Sequence, residues 1–65
     1  MPPRAPESRP GEIYFEFTRI GAFVKCTAID ATTGVEVSIQ GPATASQRDL
    51  QTLARRRLER RLGEG

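Results

Sequence analysis

The chain offers few residues that could carry catalytic chemistry. It contains no histidine and a single cysteine, Cys26, so one chain supplies neither a Ser-His or Cys-His pair nor a four-ligand zinc site. The best carboxylate pair is Glu16 with Glu36, but the predicted sheet places these residues on its two outer strands, about 10 Å apart. We therefore predict no catalytic residue, no cofactor, no metal site and no enzyme activity.

A second chemistry is anion binding, because the chain ends in the basic run ARRRLERRLGEG. Residues 47–62 hold six arginines against two acidic residues, whereas the rest of the chain is net negative. Local basicity of this kind is typical both of a footprint for phosphates or acidic proteins and of a solvated helix end, where cations favourably meet the helix dipole. Both interpretations stay open. The candidate contacts are Arg55, Arg56, Arg57, Arg60 and Arg61.

The sheet is predicted from the spacing of apolar side chains. Three segments, EIYFEFTRI, FVKCTAID and VEVSIQ, alternate apolar and polar residues with the period of two that is typical of half-buried strands. Cys26 falls on the core face of the middle strand, so we predict a small buried side chain rather than a reactive thiol.

The two connections set the register of these strands. Gly21-Ala22 fits a two-residue type II′ hairpin loop, and residues 31–34 fit a four-residue loop with Gly34 at a position of positive φ. A slip of one residue would turn polar side chains into the core. The predicted pairs are Ile20–Phe23, Phe17–Cys26 and Phe15–Ala28 in the first hairpin, and Ala28–Val37 and Cys26–Ile39 in the second.

One face of this sheet carries more apolar side chains than a solvated face needs. Two cross-strand pairs form there, and pairs of this kind are either simple cross-strand packing or a surface for a partner or a second copy. The same face has two acids against one base among its outward residues, which disfavours reading of DNA by the sheet. The candidate partner surface is Tyr14, Ile20, Phe23 and Ile29.

After residue 42 the apolar period changes to that of a helix. Ser46, three residues before Asp49, predicts an N-cap, and Gly63 is a plausible residue just beyond the helix end. The predicted apolar stripe is Leu50, Leu53, Ala54, Leu58 and Leu62.

Two arginines fall on the side of this helix that Leu50 and Ala54 bury, namely Arg57 and Arg61. Either the buried stripe drifts as the helix crosses and overhangs the sheet, or these arginines lay their stems along the sheet edge with their charges in water. The other three arginines are predicted to point away from the sheet.

These elements predict an α+β fold, with a three-stranded antiparallel meander (β1-β2-β3) and one C-terminal helix packed on one face. We expect a single βββα domain at residues 12–62, a disordered tail at 1–11, which holds four of the five prolines, and a short tail at 63–65.

Since a core of this size supplies about 3–5 kcal/mol, self-association is a plausible aid to stability. The single thiol and the lack of a long apolar run favour a cytoplasmic protein.

The chain also resembles a family of short, uncharacterised bacterial proteins of alphaproteobacterial type. The resemblance lies in YFEFTRIG, in VK-x-x-AIDA-x-TG-x-EVSI and in GPA-x-ASQ before a Leu-rich helix. It covers about two-thirds of the chain and implies no activity or functional residues.

We therefore predict a small non-catalytic module that acts through protein contact or self-association, with an unidentified protein or a second copy as partner and no membrane. The alternative is a nucleic-acid accessory protein that contacts phosphates through the Arg-rich helix. Because no aromatic residue interleaves with the arginines, such contacts would be weakly sequence-selective.

Overall fold

The computed structural model describes residues 12–64, with the side chain of Glu64 left out. The tail predicted at 1–11 and the last residue of the tail predicted at 63–65 lie outside the described residues. Three antiparallel strands form one sheet in the order β1-β2-β3, and a single C-terminal helix packs against it, so the predicted α+β meander is confirmed. The elements are β1 (Ile13–Ile20), β2 (Phe23–Asp30), β3 (Glu36–Pro42) and α1 (Gln47–Glu64).

The two loops have the backbone that their glycines predict. Gly21 has φ of 60°, and no non-glycine residue in the described part of the chain has positive φ. Ala22 therefore has negative φ, as a type II′ turn requires. Gly34 has φ of 77°. All five predicted strand pairs are present, because the loop lengths and the period of two together leave one register that buries the apolar set.

The loop between β2 and β3 is held by the side chain of Asp30. Its Oδ2 accepts hydrogen bonds from the Thr33 amide at 2.8 Å and from the Thr33 hydroxyl at 2.7 Å. The hydroxyl of Thr33 in turn accepts from the Val35 amide at 3.2 Å. These bonds to the ionised carboxyl lower the pKa of Asp30 below its usual value.

The third strand is shifted relative to its prediction at residues 35–40. It begins at Glu36 and continues through Gly41 and Pro42, which pair with Val24 and Phe23. Proline is tolerated there because it lies at the end of an edge strand, where no ladder amide is needed.

The helix begins as predicted and ends later. Ser46 Oγ accepts a hydrogen bond from the Asp49 amide at 3.0 Å, which is the N-cap geometry. The prediction that Gly63 lies beyond the helix is wrong, because α1 continues through it to Glu64. A glycine costs only about 1 kcal/mol relative to alanine in a helix interior, and it costs less in a final turn that frays.

The core lies between α1 and the two strands β2 and β3. Fully or almost fully buried side chains come from β2 and the helix: Cys26, Ala28, Leu50, Ala54 and Leu58. The β2 members are small and lie between larger side chains of β1 and β3, so they form a trough in which the helix rests. Burial also raises the pKa of the Cys26 thiol, in agreement with the predicted structural role.

The predicted apolar stripe of the helix is only partly correct. Leu53 is 52% exposed and Leu62 is 37% exposed. The buried line therefore runs through Leu50, Ala54 and Leu58, and it drifts around the helix as it crosses the sheet. The prediction for Leu53 is wrong because helical spacing does not determine which face of the helix rests on the sheet; tertiary packing does.

A glycine sets how closely the start of α1 approaches the sheet. A Cβ atom at Gly41 would lie 2.6 Å from Leu50 Cδ2. Only the absence of a side chain lets the buried Leu50 sit against the backbone of β3. Together with the short 43–46 connection, this contact draws the helix toward the β3 side of the sheet.

Candidate interaction surfaces

The predicted partner surface on the open face of the sheet is divided in the monomer. Tyr14 lies opposite Ile29, and Ile20 opposite Phe23, as predicted. Between the two pairs lie the polar rows Glu16–Thr27 and Thr18–Lys25, which separate them by about 20 Å along β1. The pair at the hairpin tip is the more exposed, with Ile20 at 48% and Phe23 at 53%. The structure therefore does not bring the four residues into one patch.

Within residues 12–64, no strand pairs with the outer edge of β1 or of β3, and we call each of these a free edge. The hydrogen-bond pattern determines which backbone groups face it. The Ala31 amide donates to the Glu12 carbonyl at 3.0 Å, so the even-numbered residues of β1 bond to β2. The Asp30 amide donates to the Val35 carbonyl at 2.9 Å, so the odd-numbered residues of β3 bond to β2. Outward-facing backbone groups therefore belong to Ile13, Phe15, Phe17 and Arg19 in β1, and to Glu36, Ser38 and Gln40 in β3.

The β1 edge is apolar from Ile13 to Phe17 on the helix side of the sheet, and it lies outside the main contacts of the helix. The main contacts of α1 are with β2 and β3. On the helix side of the sheet, Ile13, Phe15 and Phe17 pack against the core but remain only half-buried. Tyr14 and Ile20 extend from the other face of the same strand. β1 therefore presents an unpaired backbone edge with apolar side chains on both of its faces.

The β3 edge is basic. Three adjoining recesses of about 520, 460 and 440 Å³ run along it, and Arg57 lines all three. We name them the basic β3 groove, which is lined by Lys25, residues 36–40, Leu53, Arg56, Arg57, Arg60 and Arg61. Five of these residues are basic and one, Glu36, is acidic. The groove combines a free strand edge with a concentration of positive charge.

The five candidate arginines are divided between two sides of the molecule. Arg55 was predicted to point away from the sheet, and this is wrong, because its guanidinium lies over the ring of Phe15, 5.8 Å from the centroid. A long side chain can bend back over a half-buried ring and keep its charge in water. Arg56 and Arg60, also predicted to point away, line the groove with Arg57 and Arg61.

The sequence leaves two explanations for Arg57 and Arg61, a drifting buried stripe and side chains laid along the sheet edge, and the structure shows part of each. The buried stripe drifts, since Leu50, Ala54 and Leu58 are the buried members. Arg57 and Arg61 are exposed and lie beside the edge of β3. Sequence reasoning missed the contribution of Lys25 and β3 to this groove. The short connection between β3 and the helix is the signal that would have placed the arginines beside that strand.

The carboxylate pair lies on the open face as predicted. Glu16 is opposite Thr27, and Glu36 is opposite Ile29, in different rows of the sheet. Thr27 and Ser38 share a hydrogen bond of 2.8 Å between their hydroxyls on this face. Within residues 12–64, no group of three or more His, Cys, Asp or Glu side chains is placed to hold a metal ion.

The helix also bears on the question of a membrane span. Across the part of the chain that the structure describes, no helix has the length and apolarity needed to cross a bilayer.

Comparison with known proteins identifies the family but no activity. No curated protein and no solved structure matches the chain. A family model described as a domain of unknown function (DUF6898) matches residues 10–65, which include all of the strands and the helix. The chain belongs to this family, the domain of unknown function DUF6898.

Proposed function

We propose that the protein is a small non-catalytic binding module that acts through protein contact, and that its first partner is a second copy of the same chain paired through β1. One observation carries the proposal: in the part of the chain that the structure describes, β1 has a backbone edge that no strand pairs with, it has half-buried apolar side chains, and it lies outside the main contacts of α1. An unpaired edge of this kind is a template for another strand. The single thiol, buried at Cys26, suits a reducing, cytoplasmic setting.

The side chains of β1 favour one antiparallel register. With a twofold axis at Phe17, Tyr14 would lie opposite Ile20 of the second copy. Each row on the open face would then run from Ile29 through Tyr14 to Ile20 and Phe23 of the second copy. The two apolar pairs that are separated in the monomer would thus become continuous across the dimer, where aromatic and β-branched neighbours stabilise a sheet.

Neighbouring registers are less favourable. An axis at Glu16 would place this carboxylate directly opposite its own copy, and like charges in that position are destabilising. An axis at Phe15 would place Tyr14 opposite Glu16 of the second copy and leave the apolar pairs separate. The axis at Phe17 instead places Glu16 opposite Thr18 of the second copy.

The size of the chain gives a reason for such pairing. On folding, a domain of about 60 residues buries a smaller fraction of its surface than a larger domain does, and it is marginally stable alone. Pairing through β1 would extend the sheet to six strands and bury the exposed sides of Phe15 and Phe17. It would also remove the apolar free edge from solvent.

Sedimentation equilibrium of the full chain over a wide concentration range tests the proposal. We expect a reversible dimer in the wild type and in Arg19→Ala, and a monomer in Arg19→Pro. The Arg19 amide faces the free edge rather than β2, so proline there removes an intermolecular donor and no ladder bond of the monomer. Circular dichroism would verify that both variants keep the monomer fold.

Ile20→Ser provides a second variant, which changes a side chain on the open face and leaves the backbone amides of β1 in place. Ile20 is 48% exposed in the monomer, so its replacement should weaken the dimer by about tenfold with little effect on the monomer. A wild type that stays monomeric at millimolar concentration would refute self-association. Dimerisation of Arg19→Pro equal to that of Arg19→Ala would exclude β1 as the interface.

A further inference from the structure

We propose that the basic β3 groove binds an acidic peptide in extended conformation, which adds to β3 as a fourth strand and directs its carboxylates toward the helix arginines. This site is on the opposite edge of the sheet from β1. The proposal therefore goes beyond self-association and does not depend on it.

Charge complementarity supports an acidic occupant. The groove has four arginines of α1 on one side and Lys25 near the open face, against the single carboxylate of Glu36. Arginine binds carboxylates through paired, charge-assisted hydrogen bonds. The arginines are exposed, so their long side chains can adjust to a ligand.

The backbone of β3 supports an extended chain. The outward N–H and C=O groups of Ser38 and Gln40 can pair with the alternate residues of an added strand. The recesses pair helix residues 57–61 with β3 residues 36–38, and helix residues 53–60 with β3 residues 39–40. The helix therefore runs antiparallel to β3 and beside it for most of the length of the strand.

The spacing of the arginines fits a strand ligand. Arg57 and Arg61 are separated by one helical turn, which is about 6 Å along the axis. Side chains on one face of a strand recur about every 6.8 Å. Successive carboxylates on the helix-facing side of an added strand would therefore reach successive arginines.

The same features disfavour nucleic acid at this site. Phosphates accept hydrogen bonds but donate none, so they would leave the outward carbonyls of β3 without a partner. The carboxylate of Glu36 at one end of the groove would also repel them. A peptide both donates and accepts along the strand, and its acidic side chains are spaced like the arginines.

Fluorescence anisotropy with a labelled peptide of four Glu-Thr repeats tests the site in the full chain at low salt. Its glutamates all lie on one side when the peptide is extended. We expect saturable binding, reduced at least about tenfold in the double variant Arg57→Gln/Arg61→Gln. Arg55→Gln is the control for each of the single variants Arg57→Gln and Arg61→Gln, because it removes one positive charge from the β1 side of the helix, and its affinity should change less than about twofold.

Two further arms separate strand addition from simple charge attraction. The same peptide with N-methyl groups on alternate backbone amides keeps its charge but loses donors to β3, and it should not bind. Gln40→Pro removes an outward amide of β3 and should weaken the unmodified peptide about tenfold relative to Gln40→Ala. Circular dichroism would confirm that all variants are folded.

Several outcomes would overturn the proposal. Equal binding of the N-methylated peptide, or an equal loss in Arg55→Gln, would leave only general electrostatic attraction. If the peptide binds Arg57→Gln more tightly than the wild type, the side chain of Arg57 blocks strand pairing at β3 rather than contacting the peptide. Binding of a twelve-residue oligothymidine more tightly than the peptide, with the same dependence on Arg57 and Arg61, would assign the groove to nucleic acid. Loss of peptide binding in Arg19→Pro would also count against the proposal, because this change is confined to the β1 edge and should leave the affinity of the β3 groove unchanged.

Discussion

The two edges of the sheet differ in how the helix protects them. At β3, the helix lies alongside the strand and places four arginines on one side of its free backbone edge. At β1, the helix contributes Arg55 over Phe15, and apolar side chains stay half-exposed on both faces. Charged side chains beside an edge oppose unselective strand pairing, whereas an apolar edge invites it. The comparison suggests that β1 is suited to an apolar strand and β3 to an acidic one.

The difference originates in the position of the helix. α1 rests in the trough of small β2 side chains and approaches β3 closely at Gly41. The helix therefore makes its main contacts with β2 and β3, and β1 lies outside them. Most of the predictions below change one part of that placement.

Loss of the central helix anchor should have the largest effect. Leu58 is fully buried, so Leu58→Ala should lower the free energy of unfolding by about 2–5 kcal/mol, because it removes apolar burial and leaves a cavity. This is comparable to the whole stability of so small a core. Urea denaturation measures the change.

Leu53→Ala is the matched control for this loss. Leu53 is 52% exposed on the same helix, and its truncation should cost less than about 1 kcal/mol. A similar loss in both variants would show that the helix is not seated on the line of Leu50, Ala54 and Leu58.

A methyl group at Gly41 should displace the helix from β3. The new Cβ would overlap Leu50 Cδ2, and both backbone and side chain are confined there, so Gly41→Ala should cost about 1–3 kcal/mol of stability. The midpoint of urea denaturation reports it. Gly63→Ala is the control, since a Cβ there meets no atom within 4 Å, and it should be neutral or slightly stabilising. Recovery of stability in Gly41→Ala/Leu50→Val would attribute the loss to this overlap.

The sheet could be predicted from the sequence almost to the residue. Its register follows from local facts: a period of two, a glycine at each position of positive φ, and loops of two and four residues. The N-cap at Ser46 is equally local. None of these features depends on where another element packs, and each is present in the structure.

For the candidate sites, the sequence predicts which residues take part but not how they are arranged in space. The helical wheel identifies which residues share a side, but the line that rests on the sheet depends on the trough of β2 and on the contact at Gly41. For this reason the wheel wrongly predicts Leu53 in the core, and it predicts Arg55 in solvent rather than over the ring of Phe15. The separation of the arginines between the two edges is a tertiary property that no local pattern contains.

The turn that joins β2 to β3 should weaken in acid. The pKa of Asp30 is lower in the folded chain than its usual value of 3.8, because the Thr33 hydroxyl and amide donate to the ionised carboxyl. The stability from this carboxyl is therefore fully present above the unfolded pKa, and it is lost as pH falls through the folded pKa.

Thermal unfolding from neutral pH to about pH 2 tests this effect in the wild type and in Asp30→Asn. Asparagine can accept the same bonds without titrating, so the variant should melt lower than the wild type at neutral pH and lose less on acidification. Parallel curves for the two proteins would mean that other carboxyl groups dominate the acid response.

The smallest effect concerns Arg55, the helix arginine that lies over β1. Arg55 lies over the Phe15 ring at 5.8 Å, and an exposed cation–π contact contributes about 0.5–1 kcal/mol. Arg55→Gln should lower stability by that amount, whereas Arg60→Gln, which removes the same charge beside β3, should change it by less than about 0.5 kcal/mol. The measurement requires urea curves at two salt concentrations, because a general charge effect is screened by salt and affects both variants alike.

If the loss of stability caused by Arg55→Gln vanishes when Phe15 is already replaced by leucine, the loss comes from the contact with the ring, since the two changes are then not additive. Equal costs for the two arginines would remove the distinction between the edges as far as the fold is concerned, and would leave binding as the only property in which they differ.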